Sequence, residues 1–199
     1  MATFRAMLLG YANYRLQGYY DYNDRFCYHD AESDLFLTID QWYENMHILP
    51  AEVTSFALFD LDGDGLSEVI LNMDVLKIKD FGSLILRYED GAVKGYNFWP
   101  RAFGDLKADG TFWFSNGAFD HGFAKMDFSD SSHYWTKDVC YSKSTDYDED
   151  GNFQICYYYD GNRITEEAYN QYIQAHDDTE DVTYMDFTRA NIKALFPRG

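Results

Sequence analysis

Residues 55–73 read SFALFDLDGDGLSEVILNM and contain two apolar runs on either side of a short acidic segment. The first run covers residues 56–59 and the second covers residues 69–71. Aspartates occupy alternate positions between the runs, and a glycine and a glutamate follow them: Asp60, Asp62, Asp64, Gly65 and Glu68. Short apolar runs bounded by turn residues are typical of buried strands. This stretch therefore predicts two strands joined by a loop that can hold a cation.

The oxygen-rich chemistry of this loop favours a hard cation such as Ca²⁺. The three aspartate side chains converge on one point if the loop coils, and Gly65 supplies the sharp turn that a residue with a Cβ resists. We therefore predict Ca²⁺ as the cofactor, held by four carboxylates and one main-chain carbonyl, from Asp60, Asp62, Asp64, Glu68 and Leu66 respectively. An acidic hairpin turn without a metal is the alternative.

The loop differs from an EF-hand, which needs a glutamate at the twelfth loop position, because that position is Leu71 here. It resembles the shorter DxDxDGxxD/E calcium loop, of the integrin or FG-GAP type, that joins two β-strands. Residues 56–71, together with residues 84–118 and the segment GNRITEEAYNQYI at 161–173, also make the chain similar to a family of uncharacterised proteins from gut-dwelling Clostridia. This resemblance implies one calcium hairpin in an α+β domain, after an N-terminal helix and usually behind a secretion or lipoprotein signal.

The bulk composition places the chain among folded proteins and limits its partners. A length of 199 residues leads us to expect a single domain over residues 1–199. Hydrophobic content of 46% and aromatic content of 19% exclude disorder. The net charge of −18 excludes ordinary nucleic-acid binding, which requires basic patches. No apolar run reaches the length of a membrane span, so none is expected.

The N-terminal third reads as helical, with aromatic loops between the helices. Apolar residues at helical spacing predict a helix over residues 2–16, and a loop rich in Tyr, Asp and Asn follows over residues 18–30. Residues 31–46 fit a second helix that ends before Pro50. A strand over residues 36–39 is the alternative there.

The remainder of the chain alternates short apolar segments with turn residues, which is typical of antiparallel strands. Strands are predicted over residues 83–88, 92–98, 111–114, 122–128, 133–141 and 153–159. A helix over residues 166–175 is predicted to be capped by Thr165, and a last helix is predicted from 185 or 186 to 196. The predicted fold is therefore α+β, a mostly antiparallel β-sheet with N-terminal and C-terminal helices and one calcium-binding β-hairpin.

A second acidic loop, residues 146–151, repeats the spacing of the first loop and has the neutral Gln154 at its ninth position. We interpret it as a solvated hairpin turn, with a second cation site as the alternative. If the hairpin is symmetric about Asp148, Cys140 and Cys156 lie opposite each other. Such a pair closes a disulfide in an oxidising compartment, leaving Cys27 free, and stays as two thiols in a cytosol.

No catalytic motif is present, since the sequence has no HExxH, GxSxG, CxxC or phosphate-binding glycine loop. We therefore predict a calcium-stabilised binding or scaffold module with a protein or glycan partner, rather than an enzyme. Its location is expected to be extracellular or at the cell surface if a signal peptide has been removed, and cytoplasmic otherwise. The alternative is an intracellular acidic inhibitor that mimics nucleic acid and blocks the basic groove of a nucleic-acid enzyme.

Overall fold

The computed structural model describes residues 2–9, 14–20, 26–28, 36–37, 51–75, 78–89, 91–98, 100–128, 136–145 and 154–197. By the contacts between its Cα atoms the chain divides into two compact units. The first unit contains Met1–Asp60, Gly65–Pro100 and Thr183–Gly199, and the second contains Leu61–Asp64 and Arg101–Val182. The expectation of a single domain over residues 1–199 stays a prediction.

The first unit is built on a mixed but mostly antiparallel sheet with the strand order β13-β4-β5-β6-β7-β1-β2, in which β3 pairs with β1. Only β1 and β7 run parallel among its described strand pairs. The strands are β1 (Tyr14–Tyr20), β2 (Phe26–Tyr28), β3 (Phe36–Leu37), β4 (Ala51–Phe59), β5 (Glu68–Val75), β6 (Ile78–Glu89), β7 (Ala92–Phe98) and β13 (Met185–Asp186).

One face of this sheet forms an apolar core with two short helices, α1 (Ala2–Leu8) and α3 (Arg189–Leu195). The buried members of the core are Phe4, Leu8, Leu9, Phe56, Val69, Leu71, Met73, Leu84, Leu86, Val93, Ile192 and Phe196. Burying one such side chain stabilises the fold by about 1.5 to 3 kcal/mol. The hairpin predicted from residues 55–73 therefore lies in the centre of this unit.

The opposite face of the same strands is buried as well. Ala57, Ile70 and Ile85 share one cross-strand row and are at most 1% exposed. Strands buried on both faces lack the alternation of apolar and polar residues, which explains the continuous apolar run at residues 69–71. The next row on this face toward the acidic loop contains the charged Glu68, with Phe59 as its partner on β4.

The second unit is an antiparallel sheet with the strand order β12-β11-β10-β9-β8 and one helix on its face. Its elements are β8 (Thr111–Ser115), β9 (His121–Met126), β10 (Thr136–Thr145), β11 (Gln154–Tyr159), β12 (Asn162–Ile164) and α2 (Glu166–Asp177). The hydroxyl of Thr165 accepts a hydrogen bond from the Ala168 N–H and so caps α2. Tyr169 of α2 is buried against Phe123 and Cys140 of the sheet.

These elements confirm the predicted α+β class and most of the predicted strands after residue 80. The hairpin around residues 89–91, the strands β8 to β11 and the capped helix α2 all lie where the turn and cap residues indicate. No helix in the described ranges is long and apolar enough to cross a membrane.

The N-terminal helix is shorter than predicted, and the loop predicted over residues 18–30 is wrong at residues 18–20 and 26–28, the part of it that the structure describes. The helix α1 ends at Leu8, and β1 begins at Tyr14, inside the predicted helix. β1 and β2 also occupy parts of the predicted loop. Aromatic residues favour strands when a partner is present, and here β1 pairs with β7, far away in the sequence. Phe36–Leu37 is a strand, as in the alternative interpretation, and the rest of residues 31–46 lies outside the described residues.

The C-terminal helix begins later than predicted. Met185–Asp186 forms β13 and pairs with β4 at Phe56 and Ser55. The side chain of Thr188 then accepts a hydrogen bond from the Asn191 N–H and starts α3 at Arg189. A local cap therefore decides where this helix starts.

The predicted pairing of Cys140 with Cys156 is wrong. Cys140 lies opposite Tyr159, and Cys156 lies opposite Lys143. This register differs from the symmetric hairpin by an odd number of residues, so the two thiols lie on opposite faces of the sheet. Both cysteines are buried as thiols, and burial raises the pKa of the Cys140 thiol to about 12. The second acidic loop at residues 146–151 lies outside the described residues.

Candidate functional site

The acidic loop is held by the antiparallel hairpin of β4 and β5. The register closes with Phe59 opposite Glu68, so residues 60–67 form the connection at one end of the sheet. Gly65 has a φ of +86° and Gly63 has a φ of +77°, backbone angles that residues with a Cβ rarely adopt. The two glycines therefore allow the chain to coil between the two strand ends.

Hydrogen bonds from the main chain fix the coil of the loop. The Gly65 N–H donates to Oδ2 of Asp60 over 2.9 Å, five residues back along the chain. The Asp64 N–H donates to Oδ1 of Asp62 over 3.3 Å. The carboxylates of Asp60 and Asp62 therefore both accept hydrogen bonds from main-chain N–H groups within the loop.

Three of the five predicted ligands come together. One carboxylate oxygen from each of Asp60, Asp62 and Glu68 lies within 4.8 Å of the other two. Asp64 is not part of this group, and the side chain of Leu66 is 61% exposed. A carboxylate from Asp64 and the carbonyl of Leu66 therefore stay predictions as ligands.

Glu68 has a partner that the sequence analysis missed. Its side chain is 1% exposed, and Nη1 of Arg87 on β6 donates to Oε1 over 2.7 Å. Arg87 follows Leu86, which pairs with Val69, so the two charged residues are neighbours across β5 and β6. The pair depends on the register between β5 and β6, which the hairpin signature at residues 89–91 does not set.

The donor set fits a hard cation, and the neighbouring Arg87 reduces the net negative charge of this set. All three ligand atoms are carboxylate oxygens, which suit Ca²⁺ and not a soft metal. The guanidinium of Arg87 offsets one of the three charges. Since calcium affinity depends on the number of charged ligands, we expect a site weaker than one with three uncompensated carboxylates.

The second unit contains a cleft of about 430 Å³ between α2 and its sheet. The lining residues are Asp109, Thr111, Phe123, Lys125, Lys137, Val139, Tyr159, Asp160, Tyr172, Ala175, His176 and Thr179. They come from four strands, one helix and the loops beside them, so no local motif in the sequence indicates the cleft.

His176 lies at the buried side of this cleft, near the C-terminal end of α2. Its ring stacks on Phe123 with centroids 4.5 Å apart and an interplanar angle of 12°. Neither ring nitrogen has a hydrogen-bond partner among the described residues, and Nδ1 is 3.7 Å from Oδ1 of Asp177. Burial lowers the pKa of His176, the Asp177 carboxylate opposes this shift, and Lys107 adds to it.

The lowered pKa of His176 predicts a loss of stability in mild acid. The unfolded chain takes up the proton near the ordinary value of 6.5, and the folded chain takes it up only at lower pH. Stability from this residue is therefore complete above about pH 6.5 and declines as the pH falls toward the folded pKa. Melting curves of His176→Gln between about pH 5 and 8 should lack this decline.

The matched control for the pH experiment is His121→Gln, in the neighbouring strand β9. This variant should keep the acid-side decline of the unsubstituted protein, because the buried ring of His176 remains. Equal pH profiles for the His176→Gln variant and the unsubstituted protein would contradict the assignment.

Comparison with protein-family models, with curated proteins and with solved structures gives no match. The resemblance to the clostridial family therefore stays a prediction, and the function must be argued from the geometry of the chain itself.

Proposed function

We propose that the protein is a non-enzymatic binding or scaffold module, stabilised by one Ca²⁺ in the loop between β4 and β5. The observation that carries this proposal is the convergence of carboxylate oxygens from Asp60, Asp62 and Glu68 within 4.8 Å. Three carboxylates at this separation repel one another, and a divalent cation removes that repulsion.

The position of the loop indicates what calcium would do. Asp60 directly follows β4 and Glu68 is the first residue of β5, so one ion would join the ends of two neighbouring strands. Both strands contribute to the main apolar core of the first unit. An ion bound only by the folded loop therefore stabilises the strand pair on which this core is built.

In this proposal the partner binds a surface outside the loop, and calcium has a structural role. The acidic surface, with a net charge of −18, suits a solvated extracellular protein with a protein or glycan partner. The same charge opposes direct binding to nucleic acid.

Calcium should raise the melting temperature by mass action. At free calcium about 100 times Kd the expected gain is about 2.7 kcal/mol, because the ion binds the folded chain and not the unfolded one. Asp62→Asn should remove most of this gain while retaining an oxygen that accepts the hydrogen bond from Asp64 N–H. The measurement is thermal denaturation in EGTA and in calcium, together with calcium titration calorimetry.

Glu52→Gln is the matched control for the calcium experiment, since Glu52 is exposed and lies on β4, the strand that precedes Asp60, outside the loop. It removes the same charge and should leave the calcium gain unchanged. Superimposable melting curves of the unsubstituted protein in EGTA and in millimolar calcium would refute the calcium site and with it the proposed function.

A further inference from the structure

We propose that the cleft between α2 and the second sheet binds a small organic anion with an apolar or aromatic body, whose charged group lies between Lys125 and Lys137. This site is separate from the acidic loop and needs no metal. It goes beyond the proposed calcium role, and it supplies a binding activity that can be tested independently of calcium.

The two lysines are direct partners across the antiparallel strands β9 and β10. Opposed residues on such strands lie on one face with Cβ atoms about 4.5 to 5.5 Å apart, and like charges there are destabilising. Both lysines line the cleft, in a chain that has 34 acidic and 16 basic residues. An anion held between the two ammonium groups would remove their repulsion.

Each ammonium group can donate to a ligand in addition to its present contacts. Nζ of Lys125 donates to the carbonyl oxygen of Asp109 over 2.9 Å, and an ammonium has three donors. Nζ of Lys137 lies 3.6 Å from Oδ1 of Asp160, too far for a hydrogen bond. The side chains of Lys137 and Asp160 are more than half exposed, so their ion pair contributes little.

The two aspartates of the cleft do not prevent anion binding. Oδ1 of Asp109 accepts hydrogen bonds from the N–H and the hydroxyl of Thr111, at 2.9 and 2.5 Å. Asp160 lies beside Lys137. Two lysines and two aspartates balance within the lining, whereas the chain as a whole has a net charge of −18. The cleft is therefore much less repulsive to an anion than the remaining surface.

The walls of the cleft suit an apolar or aromatic body. Tyr159 and Tyr172 stack with ring centroids 4.0 Å apart, and Phe123 stacks on His176. The volume of about 430 Å³ lies in the range of small-molecule sites, which combine apolar walls with a few polar groups. The buried nitrogens of His176, which have no hydrogen-bond partner in the described part of the chain, add polar groups at the inner wall.

The test compares a charged probe with its neutral analogue on the full-length chain in the presence of EGTA. We expect 3-phenylpropionate to bind with a Kd of about 1 mM, as fragment-sized ligands do. Binding should shift the amide resonances of Lys125, Lys137 and His176 in ¹H–¹⁵N NMR spectra. The alcohol 3-phenylpropanol, which has the same body without the charge, should bind at least about tenfold more weakly.

Lys137→Met should weaken the binding of 3-phenylpropionate about tenfold, as loss of a charged hydrogen bond predicts. Its melting temperature should not fall, because the substitution also removes the repulsion from Lys125. Lys193→Met is the control: it removes an exposed lysine from α3, in the other unit, and should leave binding unchanged. Equal affinity for the two probes, or no shift at about 10 mM 3-phenylpropionate, would overturn the proposal.

Discussion

Arg87→Met should destabilise the protein by about 3 to 5 kcal/mol, because it removes the guanidinium that pairs with the buried carboxylate of Glu68. The Glu68 side chain is 1% exposed, and its Oε1 accepts the hydrogen bond from Arg87 Nη1 over 2.7 Å. Methionine retains much of the apolar stem of arginine, so the loss measures the charge more than the packing. Urea denaturation in EGTA gives the free energy of unfolding from the midpoint and slope of the transition.

Lys94→Met is the matched control for this substitution. Lys94 lies opposite Arg87 on β7 and pairs with Glu89 over 2.9 Å, but the Glu89 side chain is 36% exposed. Solvent screens such a pair, so the control should lose about 1 kcal/mol or less. Equal losses for the two variants would contradict the special role of the buried pair. Glu68→Gln combined with Arg87→Met should recover much of the loss, since no buried charge is then left alone.

The Arg87→Met variant also separates a cation site from a plain acidic turn. Without the guanidinium, Glu68 contributes an uncompensated charge to the group that includes Asp60 and Asp62. If the loop binds calcium, its affinity should rise, and millimolar calcium should reduce the loss caused by the substitution. If Arg87→Met lowers the free energy of unfolding equally in EGTA and in calcium, the calcium proposal is contradicted. The buried ion pair between Arg87 and Glu68 does not depend on that result.

The elements that the sequence predicts well are those whose signals are local. The apolar runs on either side of the acidic loop indicate β4 and β5, and Thr165 before two glutamates indicates the start of α2. In each case the residues that decide the element lie within a few positions of it. Tertiary packing then reinforces the local preference and does not override it.

The elements that the sequence predicts poorly depend on distant partners. The strand β1 exists because it pairs in parallel with β7, and that register joins Arg15 to Lys94. The local sequence does not distinguish a strand from an amphipathic helix here, since short apolar segments fit both the strand period and the helix period. The predicted pairing of Cys140 with Cys156 is wrong for a similar reason, because it rests on the assumed symmetry of one loop.

The same distinction between local signals and distant partners applies to the candidate sites. The acidic loop is a local pattern, so the sequence indicates Asp60, Asp62 and Glu68 directly. The counter-charge on Arg87 and the lysine pair of the cleft require the cross-strand register. The sequence pattern therefore indicates candidate ligands. The charge of Arg87, which would change the affinity of the loop for a cation, is identified only when the strands are aligned.

Gly122→Ala should destabilise the second unit at or beyond the upper end of the roughly 1 to 3 kcal/mol that overpacking costs. A Cβ at this position would lie 2.0 Å from the carbonyl oxygen of Cys140 and 2.6 Å from Cα of Tyr141. Both atoms belong to the main chain of β10, so relief requires separating β9 from β10. The stacked rings of Tyr141 and Tyr158, whose centroids are 5.0 Å apart, lie in the same cross-strand row and would be displaced with it.

Gly117→Ala provides the control for this last substitution, because a Cβ there would meet only side-chain atoms of Asp120, the carboxylate oxygen Oδ2 at 3.4 Å and Cβ at 3.9 Å. Its effect on stability should stay within about 0.5 kcal/mol. Amide hydrogen exchange locates the damage: the Gly122→Ala variant should lose protection in β9 and β10 first, and the Gly117→Ala variant should keep it. Equal protection of β9 and β10 in the two variants would contradict the predicted clash between a Cβ at position 122 and the main chain of β10.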